Sequence, residues 1–176
     1  MRIAITPLIA VLIWIDEPPY GYQLALALYT IASVTDYIDG YMARRLKVES
    51  PLGEMLDPIA DKLLVAAVLL AIANVTTSGW LFLVPALIIL IREFMISGLR
   101  EFLAKQNLSA PVTRLAKWKT TAQILALGFL MGAPGFPGFP FAHEIGITLL
   151  WLAAILTVQT GSGYLISAVK HVTNSG

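Results

Sequence analysis

The chain has 176 residues, of which 57% are hydrophobic and only 13% are charged. A soluble domain carries about 25% charged residues, so this composition predicts an integral membrane protein and excludes an ordinary soluble one. The net charge of +1 argues against nucleic acid as a partner, and the lack of cysteine excludes disulfides and thiolate metal sites.

Six apolar segments follow one another along the chain, at about residues 3–15, 21–44, 51–78, 79–104, 114–131 and 142–170. Each is predicted to be a helix, because lipid offers no partner for an unpaired backbone group. The first is shorter than the roughly 20 residues that a span normally needs. Residues 132–140 are predicted to form a turn, because proline and glycine are too dense there for a helix.

The basic residues predict the orientation of these segments. If all six cross the membrane, every lysine and arginine falls at or toward one side, and the opposite loops at 16–20, 74–79 and 132–141 contain none. By the positive-inside rule, both termini are then cytoplasmic. The N-terminus lacks the features of a signal peptide, so the first segment is expected to stay in the protein. We predict one all-helical, multi-pass membrane domain over residues 1–176.

The second segment carries two aspartates near its cytoplasmic end. A carboxylate in hydrocarbon costs about 2.5–3.5 kcal/mol, so something cationic must compensate for it. Each residue of a helix advances by 100°, which puts Asp36 and Asp39 on one face with Gly40, Ala43 and Arg44. The small residues let a flat group approach the backbone, and the arginine can bind phosphate through its planar fork.

The third segment repeats this arrangement, with Gly53, Asp57 and Asp61 on one face. Four carboxylates from two neighbouring helices suit hard divalent cations. Oxygen ligands, with no histidine or cysteine nearby, favour Mg²⁺ or Mn²⁺. Two such ions a few ångström apart would bridge phosphate oxygens and stabilise a phosphoryl transfer.

Other interpretations of the aspartates fit the sequence less well. A single intramembrane aspartate is more simply a helix-pairing hydrogen bonder or part of an ion path, but four in phase with small residues and an arginine favour a metal site. A divalent-cation transporter is disfavoured, because the carboxylates cluster near one membrane face and no polar path continues to the other. A non-catalytic scaffold would not need the complete pattern.

The pattern D-x-x-D-G-x-x-A-R-x8-G-x3-D-x3-D resembles the signature of the CDP-alcohol phosphatidyltransferase family. Its positions are Asp36, Asp39, Gly40, Ala43, Arg44, Gly53, Asp57 and Asp61. The resemblance implies that the first three aspartates bind the two metal ions and that Asp61 is both a metal ligand and the general base. It implies contacts to the CDP group from Asp39, Gly40, Ala43, Arg44 and Gly53.

The resemblance also implies an architecture and a location. Members of the family have six transmembrane helices around a polar cavity that faces the cytoplasm, usually in a homodimer. For a bacterial member the location is the inner membrane. The family usually has polar residues upstream of an arginine on the first helix, whereas this chain begins at that position with Arg2. The short first segment agrees with either a truncation or a misassigned start of the chain, and nucleotide contacts from upstream residues are not expected from this sequence.

Residues 91–101 and 117–123 resemble the corresponding blocks of the bacterial members that use glycerol 3-phosphate. The resemblance thus implies transfer of the phosphatidyl group of CDP-diacylglycerol to the 1-hydroxyl of sn-glycerol 3-phosphate, with release of CMP. Family members that use inositol phosphate, serine or phosphatidylglycerol as the acceptor are the alternatives.

A glycerol 3-phosphate site needs cationic side chains at the membrane boundary, because the phosphate is a dianion. Arg92 and Arg100 are predicted to flank a groove about 12 Å long on the fourth segment, at 1.5 Å per residue. Glu93 is expected to orient a basic side chain. The fifth segment begins beside this groove with Arg114, Lys117 and Lys119. These three complete the predicted phosphate site. An equal alternative is that they are ordinary basic residues that flank a membrane span on its cytoplasmic side.

Overall fold

The computed structural model describes residues 2–15, 19–46, 51–106 and 114–174. Within these ranges only the backbone is described for residues 15, 37, 40, 41, 43–46, 51, 52, 54, 104, 105, 114, 116 and 163–174. The described residues form six α-helices and no strand. The helices are α1 (Arg2–Ile15), α2 (Tyr20–Leu46), α3 (Pro51–Val75), α4 (Trp80–Lys105), α5 (Arg114–Gly135) and α6 (Ala142–Asn174).

The predicted turn at residues 132–140 is wrong in its first part, because α5 continues to Gly135. Pro134 removes only one backbone donor from the helix. The N–H of Phe136, just beyond the helix, donates to the carbonyl oxygen of Gly132 at 2.9 Å and holds the last turn together. From Phe136 onward the stretch is non-helical, as predicted. The other helices begin and end within four residues of their predicted bounds.

Three helices in the described part of the chain contain segments long and apolar enough to cross a membrane: Met55–Val75, Trp80–Leu103 and Ala142–Ser162. The apolar segment Arg2–Trp14 is shorter. Large apolar side chains are also exposed on the helices, among them Leu24, Ile31, Leu63, Leu70, Phe94 and Ile155. Such surface is costly in water and ordinary in lipid, so these helices fit a membrane protein.

One compact unit comprises Met1–Thr77 and Leu127–Gly146. Within it, α1 packs against both α2 and α3. Each of these helices buries apolar residues three or four positions apart, the spacing of one helix face. They include Ile9, Ile13, Ala25, Tyr29, Ala32, Leu64, Val68 and Ile72. At the end of α5, Gln23 Nε2 donates to the carbonyl oxygen of Gly135 at 2.7 Å and satisfies one of the carbonyls that a helix end leaves open.

A second compact unit comprises Ser78–Ala126 and Ile147–Gly176. It contains α4, most of α5 and most of α6. Its apolar interior includes Phe82, Ile89, Ile96, Ala122, Ala126, Leu150 and Ala153. Several polar side chains are buried in the same unit: Arg92, Lys119, Gln123, Thr157 and Thr160. A buried charge is costly unless it is paired. The part of the unit that contains these residues is therefore a candidate for a functional site.

Candidate functional site

Three of the four predicted aspartates meet at the guanidinium of Arg2, in the first compact unit. Arg2 Nη2 contacts Asp36 Oδ1, and it donates to Asp57 Oδ1 at 3.0 Å. Arg2 Nη1 donates to Asp61 Oδ1. The side chain of Arg2 is only 12% exposed, whereas those of Asp57 and Asp61 are 66% and 62% exposed. The carboxylates of α2 and α3 thus converge on one largely buried guanidinium, and the two carboxylates of α3 remain mostly exposed.

This convergence follows from helix phase and from the packing of α1. Asp57 and Asp61 are one turn apart on α3, so both carboxylates point the same way. The first turn of α1 lies against α2 and α3, which lets Arg2 reach all three carboxylates. Lys62, the residue after Asp61, donates from its Nζ to the carbonyl oxygen of Pro58 at 3.0 Å.

The chemistry of these donors fits a divalent cation. Three carboxylates reach one cationic group, and against one guanidinium they leave two negative charges unbalanced within the cluster. Such an oxygen-only set is the kind that Mg²⁺ and Mn²⁺ prefer. Among the described side chains, however, no group of three or more His, Cys, Asp or Glu is itself arranged to hold a metal ion. The central cation of this arrangement is Arg2.

The remaining residues of the predicted donor site are described less completely. Asp39 lies on α2, and its side chain is exposed. Gly53 lies in the first turn of α3 and is partly buried. The environment of Gly40 and the side chains of Ala43 and Arg44 lie outside the described residues, although their backbone is part of α2. Their predicted contacts to a CDP group therefore stay predictions.

A second polar cluster lies in the second compact unit and joins three helices. Glu93 Oε1 of α4 accepts a hydrogen bond from Lys119 Nζ of α5. The same oxygen lies 3.3 Å from Arg92 Nη1. Arg92 Nη2 donates to Thr160 Oγ1 of α6 at 3.0 Å. Glu93 thus orients two basic side chains, as the sequence predicts.

The two basic side chains of this cluster are buried, which is unusual for basic groups in a membrane protein. Arg92 is 9% exposed and Lys119 is 7% exposed. Arg92 Nε and Thr157 Oγ1 are buried atoms for which the described part of the chain provides no hydrogen-bond partner. An unsatisfied buried polar group costs about 1–3 kcal/mol, and more when it is charged. An anion at Arg92 would remove part of that cost.

Two other basic residues of the predicted acceptor site do not share this burial. Arg100 on α4 and Lys117 on α5 are exposed. The side chain of Arg114 lies outside the described residues. Glu93 joins Arg92 and Lys119.

Sequence reasoning did not identify two contributors to these clusters. From the sequence, Arg2 is identified only as the family's arginine on the first helix, and its separation of 34 to 59 residues from its partners gives no local signal. Thr160 of α6 was not singled out, since one threonine in an apolar helix is unremarkable by itself. A polar face formed by Thr157 and Thr160 was the one available hint.

Comparison with known proteins gives a consistent result. A family model described as CDP-alcohol phosphatidyltransferase matches residues 1–159. A relative from Rickettsia bellii (strain RML369-C), named CDP-diacylglycerol–glycerol-3-phosphate 3-phosphatidyltransferase, is 41% identical over 97% of this chain and 92% of its own length. A relative of the same name from Rickettsia typhi is 43% identical over 93% of this chain and 89% of its own. A rice protein named cardiolipin synthase (CMP-forming) is 36% identical over 89% of this chain and 51% of its own.

Proposed function

The chain belongs to the CDP-alcohol phosphatidyltransferase family, and on that premise we propose that it transfers the phosphatidyl group of CDP-diacylglycerol to glycerol 3-phosphate. The products are phosphatidylglycerophosphate and CMP, a step of phospholipid biosynthesis. The similarity to relatives of that name over nearly the whole chain carries this proposal. The convergence of Asp36, Asp57 and Asp61 supports it, because the reaction needs a site for an anionic pyrophosphate and its cations.

The donor site is assigned to the first compact unit. Asp36, Asp39, Asp57 and Asp61 are the residues that would hold two Mg²⁺ or Mn²⁺ ions. When bound, these ions polarise the pyrophosphate and offset the charge on the departing CMP. Gly40, Ala43, Arg44 and Gly53, with Asp39, receive the CDP group.

In the transfer, the 1-hydroxyl oxygen of glycerol 3-phosphate attacks the phosphatidyl phosphorus. A new P–O ester bond forms as the bond from that phosphorus to the bridging pyrophosphate oxygen breaks, and this oxygen leaves with CMP. Asp61 takes the hydroxyl proton. Its described contact to Arg2 uses Oδ1, which leaves Oδ2 for the proton. A carboxylate can serve as the base here because it need accept the proton only as the bond forms.

The acceptor phosphate is assigned to the basic side chains of the second unit. Arg92 and Lys119 are its centre, with Arg100, Arg114 and Lys117 as further cationic groups. Burial strengthens the attraction between Arg92 and a phosphate dianion, because less water screens it. Glu93 holds the two central cations in place, which lowers the entropy that substrate binding must spend on ordering them.

We also propose the setting in which this site works. All six helices cross the bacterial inner membrane, as one domain with the site open to the cytoplasm. The basic residues support this orientation, since they gather toward one side of the six predicted segments. The working form is a homodimer, in line with the family resemblance.

The proposal is tested with the purified chain, CDP-diacylglycerol and a panel of acceptors, by following the release of CMP with Mg²⁺, with Mn²⁺ and with EDTA. Glycerol 3-phosphate is expected to give the highest rate and EDTA to stop the reaction. A preference for phosphatidylglycerol as the acceptor would instead favour cardiolipin synthesis, the activity for which the rice relative is named.

The role of Asp61 is tested by Asp61→Asn. This variant is expected to lose at least about a thousandfold in turnover, because it removes both a ligand and the base. Its thermal unfolding should stay close to that of the wild type. Glu144→Gln, an equal loss of charge at an exposed position on α6, serves as the control and should keep normal turnover. Near-normal turnover in Asp61→Asn would refute the assignment of the base.

A further inference from the structure

We propose that Thr160 and Gly161 of α6 position the Arg92 guanidinium for the acceptor phosphate. This inference rests on the proposed function, since it concerns how an anion is received at the acceptor site. It adds a third helix to a site for which the sequence points only to α4 and α5.

Thr160 fixes one end of the guanidinium. Its Oγ1 lies 2.8 Å from the carbonyl oxygen of Leu156, to which it donates its hydroxyl hydrogen. A lone pair of the same oxygen is therefore left to accept the N–H of Arg92 Nη2 at 3.0 Å. The carbonyl oxygen of Thr157 lies 3.2 Å from the same oxygen, so the hydroxyl hydrogen can be accepted by either carbonyl while a lone pair still faces Arg92. Thr160 is thus an oriented acceptor within a buried environment.

Gly161 lets the stem of Arg92 lie directly against α6. A Cβ built at this position would be 3.1 Å from Arg92 Nε and 3.2 Å from Arg92 Cγ. Both distances are tighter than an ordinary contact, so an alanine here would require the arginine to shift by a few tenths of an ångström. Glycine in a helix interior is less favourable than alanine. The close approach of Arg92 gives a physical reason for glycine here.

The guanidinium of Arg92 is held at both terminal nitrogens, and it has further N–H donors that the described contacts do not use. Nη1 faces Glu93 at 3.3 Å, and Nη2 faces Thr160 at 3.0 Å. A guanidinium has five N–H donors. The described contacts use two of them, and Nε is buried without a described partner. The remaining donors are in a fixed orientation, as the forked recognition of a phosphate requires.

A purely structural role is the competing explanation for both residues. Small residues commonly allow two membrane helices to approach each other. That role would change the stability of the protein or all kinetic constants together. A positioning role would act on the acceptor alone. Gly98 provides a matched control, because it is also a helix glycine but has no atom within 4 Å of a Cβ built there.

The experiment uses the purified full chain with Mg²⁺ and compares Gly161→Ala, Gly98→Ala, Thr160→Val and Thr160→Ser with the wild type. Binding of glycerol 3-phosphate is measured by isothermal titration. KM for glycerol 3-phosphate and KM for CDP-diacylglycerol are measured separately from CMP release.

In Gly161→Ala and Thr160→Val, we expect Kd and KM for glycerol 3-phosphate to rise about tenfold, since misplacement of a positioning group by 1 Å can cost a hundredfold. KM for CDP-diacylglycerol should stay within about twofold of the wild type. Thr160→Ser keeps the hydroxyl and should restore most of the affinity, and Gly98→Ala should leave every constant unchanged.

Unchanged acceptor constants in Gly161→Ala and Thr160→Val, or an equal rise of both KM values, would overturn the inference while leaving the proposed function intact. If the wild type binds glycerol 3-phosphate but releases no CMP, the proposed function fails, and weaker binding by the two variants still supports the positioning. If the wild type does not bind glycerol 3-phosphate, both are overturned.

Discussion

Arg2 acts as a counter-ion for carboxylates that lie 34 to 59 positions away in the chain. The four residues of this cluster come from α1, α2 and α3, and each carboxylate depends on a neighbouring cation to be tolerated at the edge of a membrane. The helix phase of the aspartates is predictable from 100° per residue. The presence of a guanidinium between them is not, because it depends on how α1 packs.

Replacing this guanidinium should make the metal-free protein less stable. In EDTA, Arg2→Gln is expected to lower the free energy of unfolding by about 1–2 kcal/mol, less than for a fully buried pair because the aspartates are partly exposed. Without the competing guanidinium, Mn²⁺ should bind about tenfold more tightly, which corresponds to about 1.4 kcal/mol.

Both effects are measured by thermal unfolding, followed through tryptophan fluorescence in EDTA and in a series of Mn²⁺ concentrations. Lys117→Gln is the control, because it removes the same charge at an exposed position on α5, outside the aspartate cluster. Equal unfolding temperatures and equal Mn²⁺ dependence in Arg2→Gln and the wild type would show that Arg2 is not the counter-ion.

At the scale of helices, small residues set how closely two elements approach. The end of α5 and the start of α6 meet where Gly146 faces Leu130. A Cβ built on Gly146 would lie 2.8 Å from Leu130 Cγ and 3.1 Å from the backbone nitrogen of Leu130. A side chain can rotate away from such an overlap, but the backbone of a helix cannot. This contact therefore requires a glycine on α6.

Gly146→Ala is expected to destabilise the protein by about 1–3 kcal/mol, as overpacking does, even though alanine favours a helix more than glycine. Denaturant unfolding of the purified protein measures the difference. Gly98→Ala, at a helix position with open space, should be neutral or slightly stabilising. A Gly146→Ala variant as stable as Gly98→Ala would contradict the close packing.

At the scale of the whole molecule, six membrane spans are predicted from the sequence. Helix length and apolar character alone identify fewer. The described residues contain three long apolar spans. The second and fifth helices are less apolar, in part because α2 carries Asp36 and Asp39 and α5 carries Lys117 and Lys119. Polar residues at a functional site reduce the very signal by which a span is recognised.

The orientation of the molecule can be tested directly, because the chain has no cysteine of its own. Single substitutions Gly138→Cys, in the exposed loop between α5 and α6, and Gln106→Cys, at the exposed end of α4, are expressed in bacterial cells. A membrane-impermeant maleimide should label the first in intact cells and the second only after permeabilisation, since the basic residues favour the cytoplasm. The reverse pattern would overturn the predicted topology.

The sequence by itself determined the six helices and the shared faces of the aspartates, because backbone hydrogen bonding in lipid and the period of a helix are local properties. It also determined family membership, through the spacing of the eight motif positions that lie between Asp36 and Asp61 inclusive. Only the tertiary structure decided that Arg2 joins the carboxylates and that Thr160 and Gly161 hold Arg92. Those contacts connect residues far apart in the chain, so they depend on which helix faces pack together, and no local pattern specifies that choice.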